Sequence, residues 1–318
     1  MKILVTGGAG YIGSHVVMLL CEKGQDVVVL DNLSLGSKDA IDKRASFIEG
    51  TILNKEDLNK SLSGVDMVIH LAAYKSAGES IENPLKYTKN NIDGSISLLR
   101  SMVEHNVKNI IFSSTAAVYG LPEYLPLDEK HPLKPINHYG HTKLQTEKTI
   151  DLYSKEKGIR YINLRYFNAA GYDSQGRITS VEKNPANLIP SLMEVASGKR
   201  DKIWVYGNDF DTVDGTGVRD YVHVSDLARA HLAAIDVILT HPSATINLGS
   251  EKQYSVMEII KLTEKVTGRE IPYKVAERRK GDPDRIYASS ENALNVLGWS
   301  AKESELDNII ETTWRIYK

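Results

Sequence analysis

The strongest constraint on the fold lies at the N-terminus, where a short apolar run breaks into evenly spaced glycines. Lys2–Thr6 reads as a buried strand, and Gly7-x-x-Gly10-x-x-Gly13 follows it directly. Tyr11–Glu22 then places Ile12, Val16, Leu19 and Leu20 at helical spacing. Asp26–Leu30 is a second buried strand, ending in Asp31. Strand, turn, helix and strand fit within about 30 residues, the length of a right-handed βαβ crossover.

Glycine lets the backbone turn tightly and approach a pyrophosphate seated at the positive helix N-terminus. The spacing departs from the commoner G-x-G-x-x-G, so the strand–turn–helix context is what assigns it to a dinucleotide. Asp31 stands about 20 residues on, where a carboxylate accepts from the adenosine ribose hydroxyls and would repel a 2′-phosphate. The expected cofactor is NAD.

Strand candidates continue at Ser46–Ile48, Val65–His70, Lys108–Ser113 and Arg160–Leu164, separated by helix-like segments Lys55–Leu62, Pro84–Glu104 and Tyr139–Lys157. Such alternation predicts an α/β protein with a Rossmann-type, doubly wound parallel sheet. After about residue 168 the rhythm changes. Gly171–Asn184 and Asn208–Gly217 are polar, glycine-bearing loops around a helix candidate, Ile189–Ser197, and a strand, Lys202–Tyr206. Alternation returns loosely near Thr245–Leu248 and Ile271–Val275. The expectation is a cofactor domain over 1–168 with returning C-terminal segments, and a smaller, interleaved substrate lobe mainly over 169–318.

Composition narrows the function. The 318 residues are 42% hydrophobic and 25% charged, with a formal charge of −2, so no basic footprint for nucleic acid or anionic lipid is present. Cys21 is the sole cysteine, which excludes an intrachain disulfide or cysteine metal cluster. No uninterrupted apolar segment approaches the roughly 20 residues that span a bilayer. A cytoplasmic protein is expected. His131, His138 and His141 invite a metal, but no carboxylate–histidine framework accompanies them, and none is expected.

In His138-Tyr-Gly-His-Thr-Lys143, a helix would put Tyr139 and Lys143 on one face. An ammonium beside a phenol favours the phenolate and pulls its pKa toward neutrality. Ser113-Ser114-Thr115 ends a strand, where doubly wound sheets bind ligands; a hydroxyl-capped strand end fits as well. The run Glu277-Arg-Arg-Lys-Gly-Asp282, and Arg219, are solvated loop charges or guanidiniums for a substrate diphosphate.

These residues resemble the extended short-chain dehydrogenase/reductases, closest to the members that epimerise nucleotide sugars. The similarity covers nearly the whole chain: Val5-Thr-Gly-Gly-Ala-Gly-Tyr-Ile-Gly-Ser-His15, Asp31-Asn-Leu33, Val68-Ile-His-Leu-Ala72, Gly78-Glu-Ser80, Phe112-Ser-Ser-Thr115, Val118-Tyr-Gly120, Tyr139 with Lys143, Arg165-Tyr-Phe-Asn168, Gly215-Thr-Gly-Val-Arg-Asp-Tyr-Val-His-Val224 and Arg278-Arg-Lys-Gly-Asp282. The resemblance implies reversible 4-epimerisation of UDP-glucose and UDP-galactose through a 4-keto sugar. Tyr139 would be the acid/base, Lys143 its pKa partner, and Thr115 a hydrogen bond to the reacting oxygen. It implies that Gly7, Gly10, Tyr11, Ile12, Gly13, Asp31, Asn32, Thr51, Ile52, Lys75 and Asn91, with Tyr139 and Lys143, surround NAD. Asn168, Asn187, Leu188, Arg219, Arg279, Asp282 and Ile286, with Thr115 and Tyr139, would hold the UDP-sugar. A homodimer is implied, through the 84–104 and 139–157 segments, with Leu98, Leu99, Val103, Ile150 and Leu152 as apolar surface or core.

Two positions depart from the family pattern. Thr51 follows Gly50 where the family carries an aspartate for the adenine amino group, which predicts weaker adenine contact and a gain in NAD retention for Thr51→Asp. Ile286 falls at the sugar-pocket gate and leaves UDP-N-acetylglucosamine undecided; UDP-glucuronate is a further alternative. Dehydratase relatives carry Asp-Glu where Ala116-Ala117 stand here, so elimination is disfavoured. A non-catalytic NAD-binding regulator would typically lose the Tyr/Lys pair.

Overall fold

The computed structural model describes every residue except those at positions 183, 184, 186 and 280, so the end of the expected 171–184 loop and Lys280 lie outside the described residues. The first half runs β1 (Lys2–Thr6), α1 (Tyr11–Glu22), β2 (Asp26–Asp31), β3 (Ser46–Glu49), α2 (Lys55–Ser61) and β4 (Met67–His70). It continues through α3 (Ala77–Glu82), α4 (Pro84–Tyr87), α5 (Gly94–Glu104), β5 (Asn109–Thr115), α6 (His138–Lys157) and β6 (Arg160–Tyr166). Strand and helix ends fall close to those read from the sequence. The segment expected as one helix over 84–104 carries a π-helical stretch, Thr88–Asp93, between α4 and α5. Such stretches concentrate at functional sites, and this one turns Asn91 inward.

The second half runs β7 (Asn168–Ala170), α7 (Leu188–Ala196), β8 (Ile203–Tyr206), β9 (Val218–Arg219), β10 (Tyr221–His223), α8 (Val224–Thr240) and β11 (Ala244–Leu248). It ends with β12 (Tyr254–Ser255), α9 (Val256–Thr267), β13 (Tyr273–Ala276), β14 (Arg285–Ile286), α10 (Glu291–Leu297) and α11 (Leu306–Tyr317).

The central sheet has the order β11-β6-β5-β4-β1-β2-β3, with every pairing parallel. Continuous apolar runs such as Val27–Leu30 and Ile110–Phe112 are buried because helices cover both faces. Val16, Val17 and Leu20 of α1 pack with Leu227, Ala234 and Ile238 of α8 on one face. Leu58 of α2, Leu98, Leu99 and Met102 of α5, and Ile150 of α6 pack on the other. Leu98, Leu99 and Ile150 are therefore intrachain core and not dimer surface. Val103 is partly buried there, while Leu152 is exposed, as are Ile81 and Leu85.

A separate core joins Ile189, Leu192 and Met193 of α7, Ile203 and Val205 of β8, Ile259 and Ile260 of α9, and Ile309 and Ile310 of α11. The chain leaves the sheet to begin this core, returns through α8 and β11, and leaves again, which gives the smaller, interleaved lobe. The strand order reverses between β1 and β4, and both adjoining helices start at the same sheet edge. A crevice opens there, where doubly wound folds bind ligands. No helix among the described residues is long and apolar enough to cross a membrane.

Candidate active site

The glycine turn is a steric necessity. A Cβ on Gly13 would stand 2.1 Å from the Gly7 carbonyl oxygen, and one on Gly7, at φ +76°, would stand 2.6 Å from the Ala72 nitrogen. Gly10 begins α1 without a side-chain cap, and no acidic residue occupies the first turn. The helix N–H groups and the positive end of the dipole are thus open to an anion. Asp31 is pinned at the next strand end, accepting from Ala9 N at 3.0 Å and Leu33 N at 2.8 Å. Burial raises its pKa, against those two hydrogen bonds.

These groups line a cleft together with Tyr11, Ile12, Asn32, Thr51, Ile52, Lys75, Tyr139 and Lys143. Every expected cofactor residue lines it except Asn91. The Asn91 amide is buried and fully engaged: its oxygen accepts from Tyr74 N at 2.9 Å, and its nitrogen donates to Tyr74 O at 3.0 Å and Thr142 Oγ1 at 3.1 Å. It fastens the 71–75 loop to α6, and its neighbour Asn90 faces the cleft. Thr51 is likewise engaged, its N–H donating to Asp57 Oδ2 at 2.9 Å and its hydroxyl accepting from Leu53 N. Lys75 pairs with Glu182, a cleft residue with no recognisable motif in the sequence.

Helix α6 carries the candidate chemistry. Asn137 caps it by accepting from Gly140 N, and Ser80 Oγ accepts from Tyr139 N at 3.0 Å. Lys143 lies one turn on, buried, with Nζ donating to Ser113 O at 2.7 Å and 4.8 Å from the Phe112 ring centroid. Burial lowers its pKa to about 7, opposed by the Glu147 carboxylate. Burial pushes Tyr139 up to about 12, and a hydrogen bond from the Thr115 hydroxyl opposes this. The shift is opposite to the one the Tyr139–Lys143 spacing predicts. The physical reason is that desolvation acts on both groups and the ammonium is committed to a backbone carbonyl. Further positive charge is needed for a phenolate near neutral pH.

His131 and His138 serve the scaffold, and His141 is exposed. His138 Nε2 meets Thr88 Oγ1 at 2.8 Å, and His131 Nε2 accepts from Glu123 N at 2.8 Å. Among the described residues no group of three His, Cys, Asp or Glu side chains could hold a metal.

The expected substrate residues form a second group. β9 and β14 pair in parallel so that Arg219 and Ile286 are register partners. Arg219 Nη2 donates to Asp282 Oδ1 at 2.7 Å, while Arg279 stacks 3.8 Å from the Tyr206 ring centroid. A Cβ on Gly281 would lie 3.1 Å from Ile136, just ahead of α6, so the arginine loop abuts the Tyr139 end of the cleft. Asn168 lies two residues after Tyr166, a cleft residue, and its amide nitrogen donates to Asp220 O at 2.8 Å. Asn187 and Leu188 start α7, and Asn187 makes no side-chain cap. Sequence reasoning missed Tyr166, Glu182, Glu147 and Asp57; their contacts join residues distant in the chain or polar groups without a motif.

Residues 3–249 match the NAD dependent epimerase/dehydratase family. The chain is 46% identical to the UDP-glucose 4-epimerase of Lactobacillus helveticus over 321 aligned positions, covering 100% of this chain and 97% of the relative. The UDP-glucose 4-epimerase of Brucella ovis, solved in complex with NAD, superposes with a TM-score of 0.96 at 41% identity, covering 99% and 98% of the two chains. The Bifidobacterium longum UDP-glucose 4-epimerase, solved with NAD+ and UDP, gives 0.94 at 39% identity, covering 99% and 98%.

Proposed function

The chain belongs to the NAD dependent epimerase/dehydratase family, and we propose that it interconverts UDP-glucose and UDP-galactose by reversible oxidation at the sugar C4. The observation that carries this reading is Tyr139 and Lys143 on one face of α6, inside a cleft whose other wall is the Gly7–Gly13 turn. The residues fit NAD: an uncapped helix N-terminus for the pyrophosphate, and a pinned Asp31 for the ribose. Bound there, NAD would supply a reversible hydride acceptor for the sugar C4, from which the hydride can return to the opposite face.

Tyr139 removes the 4-hydroxyl proton as the C–H bond breaks and returns it in the reverse step, with Thr115 hydrogen-bonding the reacting oxygen. Lys143, when protonated, stabilises the phenolate, and a bound oxidised nicotinamide would supply the further positive charge that the side chains lack. Arg219 and Arg279 bind the diphosphate by charge-assisted hydrogen bonds, so that the 4-keto sugar can turn while its tether holds. Asn168, Asn187, Leu188 and Asp282 complete the UDP-sugar contacts. Asn91 acts by holding the 71–75 loop. Ala116 and Ala117 offer no acid or base for water elimination.

We also assign residues 1–168 to the cofactor domain, residues 169–318 mainly to the substrate lobe, and the working form to a cytoplasmic homodimer. Exposed Ile81, Leu85 and Leu152, on α3, α4 and α6, are the apolar surface that supports a dimer. Sedimentation of a Leu85→Glu variant as a monomer is expected, and an unchanged dimer would remove that surface from consideration.

Purified protein with bound NAD should convert UDP-galactose to UDP-glucose; no interconversion would overturn the reading. A second reading, 4-epimerisation of UDP-N-acetylglucosamine or UDP-glucuronate, draws on Ile286, a mid-sized residue beside Arg219. Side-by-side assay of the three sugars decides it, and Ile286→Gly should improve the N-acetylated substrate by roughly 10-fold.

A further inference from the structure

Beneath Lys143 lies a buried polar network that the proposed chemistry does not use. Glu147, one turn further along the same face of α6, is nearly fully buried. It accepts from Ser114 Oγ at 2.5 Å, from Arg165 Nε at 3.0 Å and from Arg165 Nη2 at 2.6 Å. Arg165 Nη1 donates to Tyr119 OH at 3.0 Å, Tyr119 donates to Asn247 Oδ1 at 2.6 Å, and Asn247 Nδ2 donates to Leu127 O at 3.0 Å. The chain of contacts runs from α6 through β5 and β6 to β11 and ends on a backbone carbonyl.

Stability does not explain such a pair. Desolvating two charges offsets their attraction, and well-packed apolar side chains usually serve as well. Position does. Around Lys143 stand Phe112 and Ser113 of β5, His70 of β4, Glu147 of α6 with its partner Arg165 of β6, and, in the lining of the same cleft, Tyr139 and Tyr166. His70 is held neutral by burial, with its pKa lowered to about 3. Among these groups Glu147 is the one carboxylate. Its oxygens are clamped by Arg165 and Ser114, so it does not swing to Lys143 and draw the ammonium away from the cleft. Lys143 instead keeps its bond to Ser113 O and two further N–H groups for the site.

We propose that Glu147 is a positioning residue which, clamped by Arg165, keeps Lys143 cationic in its buried place and thereby makes Tyr139 available as phenolate. Protein dipoles fixed before the reaction act most strongly where water is excluded. This inference rests on Tyr139 and Lys143 being the working pair, so its test uses a readout that does not need turnover.

Tyr139 ionisation is followed by ultraviolet difference absorbance in the NAD-loaded protein, each variant against the same variant carrying Tyr139→Phe. Glu147→Gln should move the Tyr139 midpoint to higher pH, with about tenfold less phenolate at a given pH. That variant leaves Arg165 unpaired and could fail to fold, so Glu147→Gln/Arg165→Met, which removes both charges, is the decisive protein. Its midpoint should also rise, by a smaller amount. Equal midpoints in the double variant and the parent would overturn the proposal, leaving the network a scaffold whose loss lowers only thermal stability. Absence of epimerisation with these midpoint shifts intact would instead count against the proposed function alone.

Discussion

The cofactor cleft and the arginine-bearing substrate wall that abuts its Tyr139 end are built from different materials. The cofactor wall is mostly backbone: a glycine turn with no room for a Cβ, an uncapped helix end, and a carboxylate held by two N–H groups. The substrate wall is mostly long side chains, Arg219 on a two-residue strand and Arg279 stacked on Tyr206 in a loop. Backbone donors keep one geometry, while guanidiniums that grip only the diphosphate leave the sugar beyond it free to turn. The contrast suits a cofactor that stays in place and a sugar that must turn. It also implies that damage on the two walls separates cleanly in experiment, one in cofactor retention and turnover, the other in substrate affinity.

The largest expected effect lies on the cofactor side. Tyr139→Phe should reduce turnover by about 10²- to 10⁴-fold, the usual contribution of a positioned acid/base, while bound NAD stays unchanged. Measuring kcat together with the cofactor content of the purified protein checks both halves of that statement. Substantial residual turnover would remove Tyr139 from its role.

On the other wall, Arg279→Ala should raise KM for the UDP-sugar by about 10- to 100-fold, since a hydrogen bond to a charged group contributes about 1.5–3 kcal/mol. NAD content should not change. A fall in kcat at unchanged KM would mean that the arginine acts on the reacting centre, and the separation of the two walls would break.

The same contrast explains what was legible in the sequence. The cofactor wall was readable because its determinants are local: glycines at fixed spacing, an apolar strand before them, a helix after, and an acid at the next strand end. Parallel strands such as Val27–Leu30 announce themselves by unbroken apolar runs. The substrate lobe was readable only in part: the helix expected at Ile189–Ser197 and the strand at Lys202–Tyr206 are α7 and β8, but its shortest strands were not foreseen. β9 and β14 are two residues each and exist because Val218 pairs with Arg285, far along the chain. Helix α8 was missed although its apolar residues recur at helical spacing, because Val224–Thr240 follows the short strands β9 and β10 and feeds the sheet from outside the N-terminal alternation. Asn91 shows a subtler limit: its place beside the cofactor loop was readable, but only the packed structure commits its amide to Tyr74 and Thr142.

The junction of the two halves should respond to acid. His15 of α1 accepts from Asp173 N through Nε2 at 3.1 Å, with Nδ1 bonded to Tyr11 O at 2.8 Å. Burial lowers its pKa to about 4 from an ordinary value of 6.5. The folded form therefore binds the proton less readily than the unfolded chain. Its contribution to stability is present above pH 6.5 and declines as pH falls toward 4, at about 1.4 kcal/mol per pH unit while the proton is taken up only on unfolding. His70 and His231, with pKa values lowered by burial to about 3 and about 4, add to the same slope. Thermal unfolding of His15→Gln should be shallower with pH by about one proton; an unchanged slope would mean that the junction does not sense acid through His15.

The smallest effect concerns the one place where the cofactor wall uses a side chain in an unusual way. The pyrophosphate turn lies at the end of β1 and Asp31 at the end of β2, so the base extends toward Gly50 and Thr51 at the end of β3. There the Asp57 carboxyl sits against Gly50, where an added Cβ would meet its Cγ at 2.6 Å, and accepts from Thr51 N. Thr51→Asp alone would set a second carboxylate beside Asp57, and like charges at short range oppose each other. The gain in NAD retention that a new acceptor brings is therefore expected to be small in Thr51→Asp. It should reach a few-fold only in Thr51→Asp/Asp57→Asn, where the amide oxygen still accepts from Thr51 N. Cofactor remaining after exhaustive dialysis measures this, and the order double variant, single variant, parent is the expected result. If the single variant retains as much NAD as the double, Asp57 exerts no charge on this end of the cleft. The base would then be held by shape alone.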